Sequence, residues 1–92
     1  MILNIKEQTI DGLKISKDLT LLLALLSNNY WTNNEEIARY VYGYDKREYN
    51  QDSYLINRRI NNCVLGLRKK GLHIDSITSW GKRLIETIYI DY

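Results

Sequence analysis

The chain has 92 residues, 45% hydrophobic, 26% charged and 11% aromatic, which suits one folded domain with one core and excludes a disordered chain. Five glycines and no proline exclude a collagen-like repeat and a Pro-rich linker. The net charge is only +2, so partners must be sought in how the charge is placed rather than in its sum.

The first fifteen residues read as short strands. Ile2, Leu3 and Ile5 are apolar, and Asp11-Gly12 between two short β-like stretches signals a two-residue hairpin turn. The opening MILNIKEQ lacks the basic leader and long apolar stretch of a signal peptide. Ser16 has the chemistry of an N-cap, with Asp18 at the positive end of the helix it starts. That helix is predicted over 16–27. Residues 19–26 are leucine or alanine at all but one position, so it must be buried between other elements. Its apolar run, 21–26, falls far short of the roughly 20 residues that span a bilayer, and no membrane segment is expected.

Thr32 and Glu35 have the spacing of a capping box for a second helix over 32–42, with Trp31 placed as a hydrophobic staple. Residues 43–50 are polar and tyrosine-rich and read as a loop. A long third helix is predicted over 51–70. Ile56, Ile60, Cys63, Val64 and Leu67 recur at spacings of four and three. Gly71 stops the helix, and Arg68, Lys69 and Lys70 suit its negative end. The tail, 73–90, reads as a β-hairpin: a strand over 73–78, a turn at 79–81 and a second strand over 82–90 with Leu84, Ile88 and Ile90 on one side. The expected fold class is α+β. Short strands, three helices and a terminal hairpin make a helix-turn-helix with a hairpin appended.

Charge is uneven along this order. Residues 1–57 carry six basic and eight acidic side chains, residues 58–83 seven basic and one acidic, and the last nine residues two acidic. A local excess of +6 on a mildly acidic body fits one anion-facing surface, and equally a solvated basic helix. One cysteine, Cys63, and one histidine, His73, exclude an internal disulfide and a Cys/His zinc site, and a reducing, cytoplasmic setting is expected. Cys63 reads as a small buried hydrophobe, and His73 has no partner at ligand spacing. No acid/base carboxylate pair, activated nucleophile or Gly-rich phosphate loop is present. Neither an enzyme nor a cofactor is expected.

Four strings in colinear order carry a resemblance. They are Ile15-Ser16-Lys17-Asp18-Leu19, Trp31-Thr32-Asn33-Asn34-Glu35 with Tyr42-Gly43-Tyr44-Asp45, Val64-Leu65-Gly66-Leu67-Arg68-Lys69-Lys70, and Ile74 through Leu84 around Ser79-Trp80-Gly81. Over about 75 residues they resemble the winged-helix DNA-binding domain of OmpR/PhoB-type response regulators and ToxR/CadC-like regulators. The pattern departs at Gly66, where many members carry a DNA-facing arginine, and at Leu65, Ser79 and Lys82. The resemblance implies a bacterial or phage transcription regulator with its third helix in the major groove of double-stranded DNA and its hairpin, the wing, at the minor groove. It also implies tandem or homodimeric binding.

On a wheel of about 100° per residue, the third helix sets Tyr54, Arg58, Asn61, Asn62, Leu65 and Lys69 opposite its apolar stripe, with Arg68 on the flank. Arginine can pair with guanine, asparagine with adenine, and an exposed leucine can meet a thymine methyl. Arg58, Arg68 and Lys69 can equally hold phosphates. A solvated face explains the charges but not a leucine among them. In the wing, Thr78, Ser79, Trp80, Lys82 and Arg83 are the candidates. Strand alternation turns one of the two cations inward, and Trp80 either packs on the DNA backbone or closes the core. By the same resemblance the loop with Tyr44, Asp45, Lys46 and Arg47 is where RNA polymerase is contacted. A solvated connector is the plain alternative. Two further readings stand beside the DNA-binding regulator: a winged helix that binds protein, and the DNA-binding head of a longer membrane-anchored regulator.

Overall fold

In the computed structural model, which describes residues 1–77 and 80–91, the chain opens with β1 (Ile2–Asn4), β2 (Thr9–Ile10) and β3 (Leu13–Lys14). Asp11 and Gly12 have φ of +48° and +82°, the pair of left-handed residues that matches a tight hairpin turn to the strands' twist. Asp11 Oδ1 accepts from Ile2 N at 2.8 Å, tying the turn to β1. Helix α1 (Lys17–Leu26) is capped by Ser16, whose Oγ accepts from Leu19 N at 3.2 Å. No residue from Leu19 to Leu26 is exposed, and Leu22, Leu23 and Leu26 lie in the core.

Thr32 does not cap the second helix. It is buried in strand β4 (Thr32–Asn33), paired with Lys82, because the chain first adds a short strand beside the hairpin. The cap is therefore Asn33, whose Oδ1 accepts from Glu36 N at 2.8 Å. Helix α2 (Asn34–Ile37) continues as a wider π-helical segment, Ala38–Tyr42. Gly43, at φ +76°, closes that segment by donating its N–H to the Ala38 and Arg39 carbonyls.

The region read as a loop contains a helix, α3 (Lys46–Gln51). Its start is a capping box: Asp45 Oδ1 accepts from Glu48 N at 2.8 Å and Glu48 Oε1 from Asp45 N at 3.2 Å. Two residues, Gln51 and Asp52, thereby leave the predicted long helix. At Asp52 (φ −122°, ψ +28°) the backbone departs from helical geometry, and α4 runs Ser53–Lys69. Its end is a Schellman closure around Gly71 (φ +90°), with Leu72 N to Leu67 O at 3.2 Å and Gly71 N to Arg68 O at 3.0 Å.

The hairpin is β5 (Ile74–Ile77) and β6 (Gly81–Leu84). The predicted strand over 82–90 is split. After Leu84 the chain turns away, and β7 (Tyr89–Asp91) pairs in parallel with β1. Side chains hold the bend. Glu86 Oε1 accepts from His73 N and meets His73 Nδ1, both at 2.8 Å, and Asn29 Nδ2 donates to the carbonyls of Leu84 (3.0 Å) and Glu86 (2.7 Å).

Among the described residues the protein is therefore α+β. It has four helices, a mixed sheet ordered β3-β2-β1-β7 and an antiparallel sheet ordered β4-β6-β5. One core joins them: Leu3 and Ile10 from the first sheet, the α1 leucines, Ile37 and Val41, the α4 stripe, and Leu84 with Ile88. Thr78 and Ser79, two of the predicted wing contacts, lie outside the described residues, as does Tyr92.

Candidate nucleic-acid interface

Helix α4 is positioned by burial on one side. Ile56, Ile60, Val64 and Leu67 are in the core, and half-buried Cys63 packs against it. Gly66 faces α1, where a Cβ would make ordinary contact with both Leu19 methyls at 3.8 Å. A hub at Asn57 fixes the near end. Its Oδ1 accepts from Asn34 Nδ2 at 3.0 Å and from the Tyr49 hydroxyl at 2.6 Å, so one amide ties α2, α3 and α4 together.

With the stripe buried, the opposite ridge is left in solvent. Tyr54 is 77% exposed and Leu65 50%. Arg58, Asn62 and Lys69 are also exposed, and Asn61 is half-buried. No acidic residue occurs from Ser53 to Lys69. Lys70 is exposed beyond the helix end.

The structure divides the basic residues of 58–83 into engaged and unengaged. Arg59 Nη1 donates to the Tyr44 hydroxyl at 3.2 Å, and its guanidinium lies 4.2 Å from the centre of the Tyr42 ring. Arg68 donates Nε (3.2 Å) and Nη2 (2.6 Å) to the Ile74 carbonyl, which ties the end of α4 to the start of the hairpin. Arg68 is exposed, but much of its donor capacity is turned inward. Among the described residues, Arg58, Asn62 and Lys69 make no side-chain hydrogen bond or ion pair within the fold.

At the hairpin the predicted pair of cations separates. Lys82 is 0% exposed, a correction to its expected place at the wing surface. Alternation from Leu84 turns it to the core side, and burial, with the Arg68 charge second, pulls its ammonium down to about 8. Arg83, on the outer side, is half-exposed. It donates from Nη2 to Asp75 Oδ2 at 2.8 Å across the β5–β6 pair and sits 5.0 Å from the Trp31 ring centre. Its charge is thus partly answered within the sheet. Trp80 is 50% exposed and packs at 5.8 Å and 55° on Trp31. It neither closes the core nor stands alone. Trp31, expected as a helix staple, is instead half of this indole pair, a contact across 49 positions of sequence that no local pattern announces. The Trp80 carbonyl accepts from Asn34 N at 2.6 Å, so the hairpin turn is locked to the start of α2.

Gly81 explains why the hairpin can approach so closely. A Cβ there would stand 2.6 Å from the Thr32 carbonyl oxygen. Of the predicted polymerase-contact residues, Asp45 is occupied in capping α3 and half-buried Tyr44 receives Arg59, while Lys46 and Arg47 are exposed on the first turn of α3. Cys63 and Tyr42 form a pair at 3.0 Å beneath the Arg59 guanidinium. Burial raises both the thiol and the phenol above their ordinary ranges. His73 is engaged by Glu86.

Among the described residues no group of three or more His, Cys, Asp or Glu could hold a metal ion, and no helix is long and apolar enough to cross a membrane. No protein-family model, no curated protein and no solved structure matches the chain.

Proposed function

We propose that this chain is a sequence-specific double-stranded DNA-binding module, a winged helix of the OmpR/PhoB-like kind that regulates transcription. One observation carries the reading: the outward ridge of α4 holds Arg58, Asn62 and Lys69 exposed, without internal partners and without a carboxylate on the helix. A 17-residue helix, with a core on one side and uncommitted hydrogen-bonding groups on the other, has the dimensions and chemistry to enter a major groove. The hairpin at its C-terminal end, tied through Arg68 to Ile74, would then lie against the neighbouring backbone or minor groove, presenting Trp80 and Arg83.

A module this small covers little DNA, so specific binding calls for two copies on adjacent half-sites. Lys46 and Arg47 are the groups left for a polymerase contact. The function so read is binding, not catalysis, with no cofactor, in the cytoplasm of a bacterial or phage-infected cell.

The test is fluorescence anisotropy with labelled random duplexes across a salt series. DNA binding predicts steep loss of affinity with salt, with a log–log slope of about −0.9 per phosphate neutralised. Arg58→Ala and Lys69→Ala should each weaken binding while leaving the thermal transition in place. Arg68→Ala should weaken binding and also loosen the hairpin, because it removes the donors to the Ile74 carbonyl. Absence of duplex affinity at low salt refutes the reading and leaves a protein-binding platform, for which exposed Tyr54, Leu55 and Leu65 would be the contact surface.

A further inference from the structure

Leu65 is one of three large apolar side chains, with Tyr54 and Leu55, that α4 leaves in solvent. Its neighbours Val64 and Leu67 are buried, while Leu65 points to solvent between Asn62 and Lys69. Leu65 therefore offers an apolar contact beside uncommitted hydrogen-bonding groups on a helix without a carboxylate, the mixture of chemistries that base edges in a major groove present. We infer that Leu65 is a specificity-determining residue that meets the 5-methyl group of a thymine, within a base-reading triad completed by Arg58 and Asn62. The inference rests on the duplex-DNA reading above and adds to it which base pairs are read.

Spacing supports the triad. At about 1.5 Å rise per residue, Asn62 lies about 6 Å beyond Arg58 along the axis, and Leu65 about 4.5 Å beyond Asn62. Base pairs stack at about 3.4 Å, so the three side chains fall within about three base-pair steps. Guanidinium, carboxamide and isobutyl groups are the natural readers of guanine O6/N7, adenine N6/N7 and the thymine methyl. Tyr54 and Lys69 lie one turn outside the triad at either end, where the groove curves away from a straight helix. They are placed to donate to phosphates, which fixes register without reading sequence. Arg59 and Arg68 are held by Tyr44 and Ile74 and take no part in base reading. The half-site is therefore expected to hold a guanine and, two to three steps away, an adenine beside a thymine.

The experiment begins with selection of bound duplexes from a random pool by the wild-type chain. Each conserved thymine of the selected site is then replaced by uracil, which deletes only the methyl group. At one position uracil should weaken wild-type binding about fourfold, the effect of exposing one methyl-sized group. Leu65→Ala should bind the thymine duplex about as weakly as wild type binds the uracil duplex and should show no further uracil penalty. Its thermal transition should be unchanged, since Leu65 is exposed. Asn62→Ala should lose discrimination at a single adenine about tenfold or more. Indifference of wild type to uracil at every thymine, or an undiminished uracil penalty in Leu65→Ala, overturns the inference while salt-dependent duplex binding leaves the DNA reading standing. Absence of any selected duplex overturns both.

Discussion

Gly81→Ala tests a close backbone approach between the hairpin and β4. An added Cβ would lie 2.6 Å from the Thr32 carbonyl oxygen and 3.2 Å from both Thr32 C and Asn33 Cα. Carbon and oxygen settle at about 3.3 Å or more, so β4 must retreat by about 0.7 Å. No flexible side-chain end can absorb this, because every clashing atom is backbone. The strand that must move is two residues long and leads straight into Asn34, whose N–H holds the Trp80 carbonyl at 2.6 Å. Overpacking of this kind costs about 1–3 kcal/mol, and one weakened backbone hydrogen bond adds about 1 kcal/mol. The expected total is about 2–4 kcal/mol, or roughly 10–30 °C in Tm for a domain of this size. Urea denaturation followed by far-ultraviolet circular dichroism and by tryptophan fluorescence measures it, since Trp31 and Trp80 flank the contact. Gly66→Ala is the internal control. Its Cβ would meet only Leu19 methyls at 3.8 Å, and alanine favours a helix interior by up to about 1 kcal/mol, so this variant should be unchanged or more stable. A Gly81→Ala loss below about 0.5 kcal/mol would show that the hairpin does not press on β4 as described.

Three further outcomes follow from the same structure. Ile60→Ala, in the middle of the α4 stripe and 1% exposed, should cost about 2–5 kcal/mol in the same urea assay; a loss under 1 kcal/mol would remove α4 from the core. Lys82 has a folded-state pKa of about 8 against an ordinary 10.5, so between those values the unfolded chain binds the extra proton and stability rises with pH. Wild type should therefore gain stability relative to Lys82→Met as pH rises from 8 toward 10; parallel pH profiles of the two refute the burial of this charge. Cys63 should react slowly with a disulfide thiol reagent at pH 8 in the native state and rapidly in urea, because burial raises its thiol pKa; equal rates would place the thiol at the surface.

Periodicity and local chemistry dictated much of this molecule. Asp-Gly at 11–12 forced a tight turn, Ser16 and Gly71 bracketed helices through their caps, and spacings of four and three assigned Ile56, Ile60, Val64 and Leu67 to one face. The ridge of Tyr54, Arg58, Asn62, Leu65 and Lys69 follows as the other side of the same wheel. These features depend on neighbours within one or two turns, so the sequence carries them whole. The capping box of Asp45 and Glu48 was equally local, but a tyrosine-rich polar stretch masked the helix it starts.

Long-range competition settled the rest. Thr32 has the chemistry of a helix cap, yet pairing with Lys82 claims it for a strand, and the cap moves to Asn33. The apolar alternation from Leu84 through Ile90 is compatible with one strand. His73, Asn29 and a vacant edge on β1 divide it between two sheets. Charge counting treats the cations of 58–83 alike, whereas tertiary contacts engage Arg59, Arg68 and Arg83, enclose Lys82, and leave Arg58 and Lys69 outward. A sequence fixes what each side chain can donate or accept; only the assembled fold decides which of those capacities are met internally and which remain for a partner.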